Sequence, residues 1–260
     1  MLLPTVTLGG LLRFMKKLPM MFKKQTLFTA LVLLIVASAC AQTSKKMVFD
    51  GAAEDRNLAG FTSINVSNAF DVYISQGTED AVGVSANSQD ATKNIKTNIS
   101  GGVLYISFDN KGWSSWKNNK LKAYITVKNL EKLNVSGACN VSFVDAITSS
   151  RLHISVSGAS DIKGSVKTSY LKVGASGASN INLSGTATET DFNISGACSI
   201  KSLDLATDNC NAVASGASII RLTINQSLRA NISGASDIRY KGTVSRFDSK
   251  TSGASSIRPL

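Results

Sequence analysis

The chain has 260 residues, 43 % of them apolar and 17 % charged, and a formal net charge of +11. Five of its 28 basic residues lie within the first 24 positions with no acid among them, so the rest carries 23 basic against 17 acidic residues, a mild +6 scattered along the sequence. Nucleic-acid binding requires a basic stripe with interleaved aromatics, which this distribution lacks, and a lone histidine without any CxxC pair gives no basis for a zinc site or a histidine-centred triad.

Residues 1–41 read as a leader. The apolar run "LFTALVLLIVASA", residues 27–39, is too short to span a bilayer as a helix and suits the core of a signal peptide. Met21, followed by "FKKQTLFTALVLL", resembles a more usual start. Two cleavage readings overlap. "ACA", residues 39–41, fits an A-x-A site releasing Gln42, while "ASAC", residues 37–40, resembles a bacterial lipobox that would make Cys40 the lipidated first residue. Either implies export. Residues 42–57 are polar and read as a tether.

Residues 58–130 form an N-terminal β region. "FTSINVSNAFDVYISQG", "AVGVSAN", "IKTNISGGVLYISFDN" and "LKAYITVKNLEKLNVSG" alternate apolar and polar residues between Gly/Asn/Asp punctuation, the pattern of strands. They are either irregular first turns of the solenoid described next or a β cap on its end, since an uncovered end leaves an open sheet edge. The segment "NKGWSSWKNNK", residues 110–120, holds both tryptophans of the chain. Trp113 and Trp116, with Lys117, Asn118 and Asn119, are the candidate ligand-binding residues: indoles stack on sugar rings and the amides hydrogen-bond hydroxyls. The alternative is that both indoles seal the core.

Residues 131–260 repeat. Copies of Ser-Gly-Ala begin at Ser136, Ser157, Ser176, Ser195, Ser215, Ser233 and Ser252, at intervals of 21, 19, 19, 20, 18 and 19 residues. Helical repeat units need roughly 33 residues or more, and the leucine-rich frame is absent, so one unit is one turn of a parallel β-helix. With offsets counted from the serine, positions −3, −1 and +5 are largely apolar and share parity, so they form the core. The +5 column runs Val141, Ile162, Ile181, Ile200, Ile220, Ile238, Ile257. Offset +3 (Cys139, Ser160, Ser179, Cys198, Ser218, Ser236, Ser255) is expected to form a small inward ladder near a corner, and offset +4 (Asn140, Asp161, Asn180, Ser199, Ile219, Asp237, Ser256) to point outward. The glycine is predicted to sit where the chain bends without a Cβ in the way. The fold class is therefore all-β: a parallel β-helix of ~19–20-residue turns with an irregular N-terminal β region or cap.

This pattern offers little chemistry. His153 has outward parity and no second histidine. Cys139 and Cys198 share an offset three turns apart, ~14 Å of stacking against the ~7 Å limit for a disulfide, so they read as buried, reduced stand-ins for serine. Cys210 has no evident partner. Asp161 and Asp237 share the outward column four turns apart, too far for the paired carboxylates of a glycosidase or lyase. No catalytic residue, metal site or cofactor is expected.

"FDVYISQG" at residues 70–77, "ISGGVLYIS" at 99–107, "LKAYITVKNLEKLNVSGACNV" at 121–141 and the trailing SGAS series resemble the head GIN domain family of auto-transporter adhesins, a domain of unknown function. The resemblance covers about residues 58–258 and implies a β-helix-like fold and an envelope location. The leading expectation is an exported, non-enzymatic binding, adhesion or scaffolding module whose partner is an envelope glycan or envelope protein, touching the membrane only through its leader or a lipid anchor at Cys40. The alternatives are a carbohydrate-active enzyme on the same fold and a structural domain acting through a protein partner.

Overall fold

A computed structural model describes residues 51–109 and 120–260. Each Ser-Gly-Ala corner in it feeds strand that stacks, in parallel and in register, on the turn before. The strands are β8 (Lys132–Val135), β9 (Asn140–Phe143), β10 (Ile147–Val156), β11 (Asp161–Ala175), β12 (Asn180–Ile194), β13 (Ser199–Ala214), β14 (Ile219–Ile232), β15 (Asp237–Lys241), β16 (Arg246–Thr251) and β17 (Ser256–Pro259). The expected +5 ladder is continuous: Val141 pairs with Ile162, and so on through Ile181, Ile200, Ile220 and Ile238 to Ile257. From Val141 to Ile238 these side chains are buried, as are the −3 and −1 columns up to Ala230 and Ile232. The last turn puts Ser249 and Thr251 in those columns, both exposed, so the core stops where the sequence turns polar.

The corner works as the repeat implies. Gly137, Gly158, Gly177, Gly196, Gly216, Gly234 and Gly253 all have φ between +72° and +95°, a region a side chain resists. A Cβ on Gly177 would lie 2.4 Å from the carbonyl oxygen of Gly158 directly beneath. That carbonyl accepts the N–H of Ala178 at 2.8 Å, and the same glycine-to-alanine bond recurs from turn to turn. The +3 column does more than fill space. Ser160 Oγ donates to Gly137 O and Ser157 O, and Ser179, Ser218, Ser236 and Ser255 repeat the bridge, which gives each glycine carbonyl a second donor beside the alanine N–H and ties the serine carbonyl to the same hydroxyl. Cys198 Sγ contacts the equivalent pair, Gly177 O and Ser195 O, as a weak donor. A second bend lies where the inward parity slips. Ser149 Oγ reaches Arg151 O, Thr168 Oγ1 reaches Tyr170 O and Thr207 Oγ1 reaches Asn209 O, each closing the chain over two residues.

The N-terminal region contains both of the forms left open by the sequence, in an order the sequence does not display. β2 (Ser63–Val66) and β3 (Phe70–Gln76) make one solenoid turn; β6 (Val103–Phe108) and β7 (Leu121–Val127) make another. The first of these lies between the second and the repeat: β2 pairs in parallel with β6 on one side and β8 on the other, and β3 with β7 and β9. The end is then closed by antiparallel strands. β4 (Ala81–Ser85) covers the edge of β7, β5 (Ile95–Ser100) covers β6, and β1 (Glu54–Asp55) pairs with β4 ahead of Leu58, where the alternating text begins. α1 (Gln89–Lys93), capped by Ser88 Oγ accepting from Ala91 N, links β4 to β5.

The β2–β3 turn has a corner too. Ser67-Asn68-Ala69 stands in place of Ser-Gly-Ala, with Asn68 at φ +80°, a conformation asparagine tolerates better than most residues. Its carbonyl accepts from Ala138 N at 2.7 Å, so the glycine ladder rests on it. Its side chain is also used: Asn68 Oδ1 accepts from Phe108 N at 3.0 Å.

Candidate functional site

Trp113, Trp116, Lys117, Asn118, Asn119 and Cys40 lie outside the described residues. The segment holding the first five links β6 to β7 in the sequence, between Asp109 and Lys120. Among the described residues, outward columns run on either side of the Ser-Gly-Ala corners.

On the approach to the corner, offset −4 runs Lys132, His153, Lys172, Asp191, Asn211, Arg229, Asp248. Each acid here faces a base. Lys172 Nζ lies 3.8 Å from Asp191, whose carboxylate also accepts from Asn211 and Tyr170, and Arg229 lies 3.5 Å from Asp248. Arg151 sits over the Tyr170 ring, 5.6 Å from its centroid. His153 is half-buried beside Ser155 Oγ at 3.4 Å, and burial, with help from Lys132 and Lys172, pushes its pKa down. Beneath this face, Cys210 is buried and its thiol is pushed up to about 12 by desolvation.

Beyond the corner, the +4 column begins two turns earlier than the repeat shows: Lys122 pairs with Asp71, Asp71 with Asn140, Asn140 with Asp161, and Asp161 with Asn180. Asn140 Nδ2 donates to Asp71 Oδ1 and Asn180 Nδ2 to Asp161 Oδ1, each at 2.8 Å. Every acid in this run is separated from the next by an amide that binds it, an arrangement that holds stacked strands together and leaves no two carboxylates facing each other. Asp237, four turns above Asp161, accepts from Arg239 Nε at 2.8 Å and from Ser256 Oγ, with Arg258 at 3.8 Å. Burial pushes its pKa up, but the Ser256 and Arg239 hydrogen bonds and the two guanidinium charges outweigh it, and the net shift is downward.

One column further, the expectation of scattered charge fails. Offset +6 runs Tyr124, Tyr73, Ser142, Lys163, Asn182, Lys201, Arg221, Arg239, Arg258. Tyr73 and Tyr124 stack at 5.2 Å, and Lys201, Arg221, Arg239 and Arg258 pair directly from turn to turn. Residues 18 to 20 apart in sequence are neighbours in space, so a basic stripe exists that a linear reading disperses. Aligning the repeat one residue past the +5 ladder would have revealed it. Among the described residues no group of three or more His, Cys, Asp or Glu side chains is placed to hold a metal ion.

The family described as "Putative auto-transporter adhesin, head GIN domain" matches residues 60–244, and the chain belongs to it. Among solved structures, a "putative adhesin" from Bacteroides fragilis superposes with a TM-score of 0.73 at 23% identity, covering 84% of this chain and 98% of that one. A "putative adhesin" from Parabacteroides distasonis matches with a TM-score of 0.66 at 20% identity over 80% of this chain and 96% of its own. A "putative lipid binding protein" from the same species matches at 0.64 and 21%, over 81% and 98%. At these identities the likeness is one of fold. No curated protein matches the chain by sequence.

Proposed function

We propose that this protein is an exported, non-enzymatic binding module of the cell envelope, an adhesin-type head that engages an envelope glycan or an envelope protein. The observation that carries the reading is the disposition of the carboxylates. The acids of the +4 column are spaced apart by amides or tied to arginines, so that face offers a regular array of hydrogen-bonding groups and no acid–base pair. Membership of an adhesin-head family agrees with that, as does the fold shared with two structures described as adhesins. The leader in residues 1–41 supplies export, with Cys40 as the point of lipid attachment if the lipobox is used. Trp113 and Trp116 supply flat apolar faces for sugar rings, with Lys117, Asn118 and Asn119 beside them. A glycan-array screen of the purified chain tests this. The expected result is retention of a defined set of glycans, lost in Trp113→Ala/Trp116→Ala with little change in melting temperature. A chain that retains none, or whose tryptophan variant unfolds while retaining glycan, would contradict the assignment of these residues.

A further inference from the structure

The +6 column is unusual for a sheet surface. Like charges opposite each other on neighbouring strands are destabilising, yet Lys201, Arg221, Arg239 and Arg258 occupy four consecutive turns, with Lys163 two turns further along. At ~4.8 Å per turn the unbroken run is about 14 Å long and the whole stripe about 24 Å. The same solenoid places Lys172 beside Asp191 and Arg229 beside Asp248 on its other face, so the repeat has no intrinsic obstacle to pairing opposite charges. Here one carboxylate, Asp237, serves two arginines. The face also holds polar atoms that the protein does not satisfy. Arg221 Nε and Ser199 Oγ are buried and have no hydrogen-bond partner, and they account for two of the three such side-chain atoms among the described residues. A buried donor left open is costly, and the two sit on adjacent turns, Arg221 in the stripe and Ser199 beside it in the +4 column.

We infer that this stripe is a binding site for a linear acidic polysaccharide carrying one carboxylate per sugar, lying along the solenoid axis. The site rests on the envelope-binding reading and adds to it a ligand class and a location distinct from the tryptophan segment. Cations repeating at one fixed interval match a polymer whose anions also repeat at one fixed interval, of about the length of a sugar ring. Arginine forks at three of the four consecutive turns suit carboxylate, which they bind through two parallel hydrogen bonds. Single-stranded nucleic acid fits less well, because its binding grooves interleave aromatic platforms with the cations, and the aromatic pair of this column, Tyr73 and Tyr124, lies beyond Ser142 at the opposite end from the unbroken basic run.

The test measures binding of polygalacturonate to the full chain, with neutral dextran and poly(dT) as comparison polymers and melting temperature recorded throughout. Polygalacturonate binds, weakens as salt screens the charges, and outcompetes the other two. Arg221→Gln/Arg239→Gln lowers affinity about tenfold or more, with a melting temperature close to wild type because relief of like-charge repulsion offsets the lost Arg239–Asp237 bond. Lys201→Gln/Arg258→Gln, altering the exposed members only, does the same should the first pair disturb folding. Lys167→Gln/Lys250→Gln removes the same charge from exposed positions on other faces and changes affinity less than about twofold. Equal loss in this last variant, undiminished binding in both ladder variants, poly(dT) binding as tightly as polygalacturonate, or no binding of polygalacturonate would each overturn the inference. A wild-type chain that retains neutral glycans on the array but ignores polygalacturonate overturns the basic-stripe site and leaves the binding-module reading standing; a chain that retains nothing removes both.

Discussion

Two glycines three residues apart provide a sharp test of the solenoid corner. Gly177 has φ +81°, and an added Cβ would lie 2.4 Å from Gly158 O, 3.1 Å from Gly158 N and 3.2 Å from Gly158 C, all backbone. The clash cannot be relieved by a side-chain swing. Gly158 O already accepts from Ala178 N and from Ser179 Oγ, and Gly177 O accepts from Ala197 N, so any shift strains the ladder above and below. The left-handed conformation costs about 1–2 kcal/mol once a Cβ is present, and a displaced corner bond about 0.5–1.5 kcal/mol more. Gly177→Ala should therefore destabilise by roughly 1.5–3.5 kcal/mol, or roughly 3–14 °C in melting temperature for a domain of this size, and Gly177→Val by more. Gly174 is the control: it lies in strand β11, has no positive φ, and its Cβ would meet only Ser155 Oγ at 4.0 Å. Gly174→Ala should be neutral or stabilising by up to about 1 kcal/mol. Thermal melts followed by circular dichroism, with urea titrations for the free energies, read both. Gly177→Ala melting within a degree of wild type, or Gly174→Ala costing as much, would refute the corner assignment.

Other consequences follow from particular side chains. Cys139→Ser and Cys198→Ser should each cost less than about 1 kcal/mol, because serine makes the same bridge to the corner carbonyls on the other turns; chemical denaturation measures this, and a loss of several kcal/mol would contradict it. Unreduced protein analysed by mass spectrometry should show no Cys139–Cys198 bridge. Cys210, with its thiol pushed up to about 12, should resist iodoacetamide at pH 8 in the folded chain and react once the chain is unfolded; rapid labelling of the native protein would place it at the surface. Asp237 has its pKa held below the usual carboxylate range, so its contribution to stability is complete above about pH 4 and fades as pH falls through the folded value. Asp237→Asn should remove that part of the acid sensitivity, and an unchanged stability–pH profile below pH 4 would show that the arginine cluster does not act on it.

The parts of this fold that were legible in the sequence are those that repeat. Ile162, Ile181 and Ile200 recur at one offset, and a column seen seven times can be placed without coordinates. The stacking of β2–β3 between β6–β7 and β8–β9 could not be placed so, because alternation in "SINV" or "VLYI" shows that a strand is half-buried but not which distant strand it meets. Asn68 hid a corner for a related reason: asparagine reaches positive φ as glycine does, so "SNA" serves as "SGA" while escaping a search for the glycine. The basic stripe was within reach. Lys201, Arg221, Arg239 and Arg258 follow the +5 column by one residue, and what obscured them was summing charge along the chain instead of down the stack. Asp71 was missed because its turn carries no SGA mark to set its offset.

The most direct measurement of the central claim is equilibrium binding of the full chain to glycan isolated from the envelope of its own host, with the glycan's length distribution determined before and after prolonged incubation. A binding module predicts saturable retention and an unchanged length distribution. Shortened or unsaturated glycan products would show a catalyst, and absence of retention under conditions where the chain is folded would contradict the account.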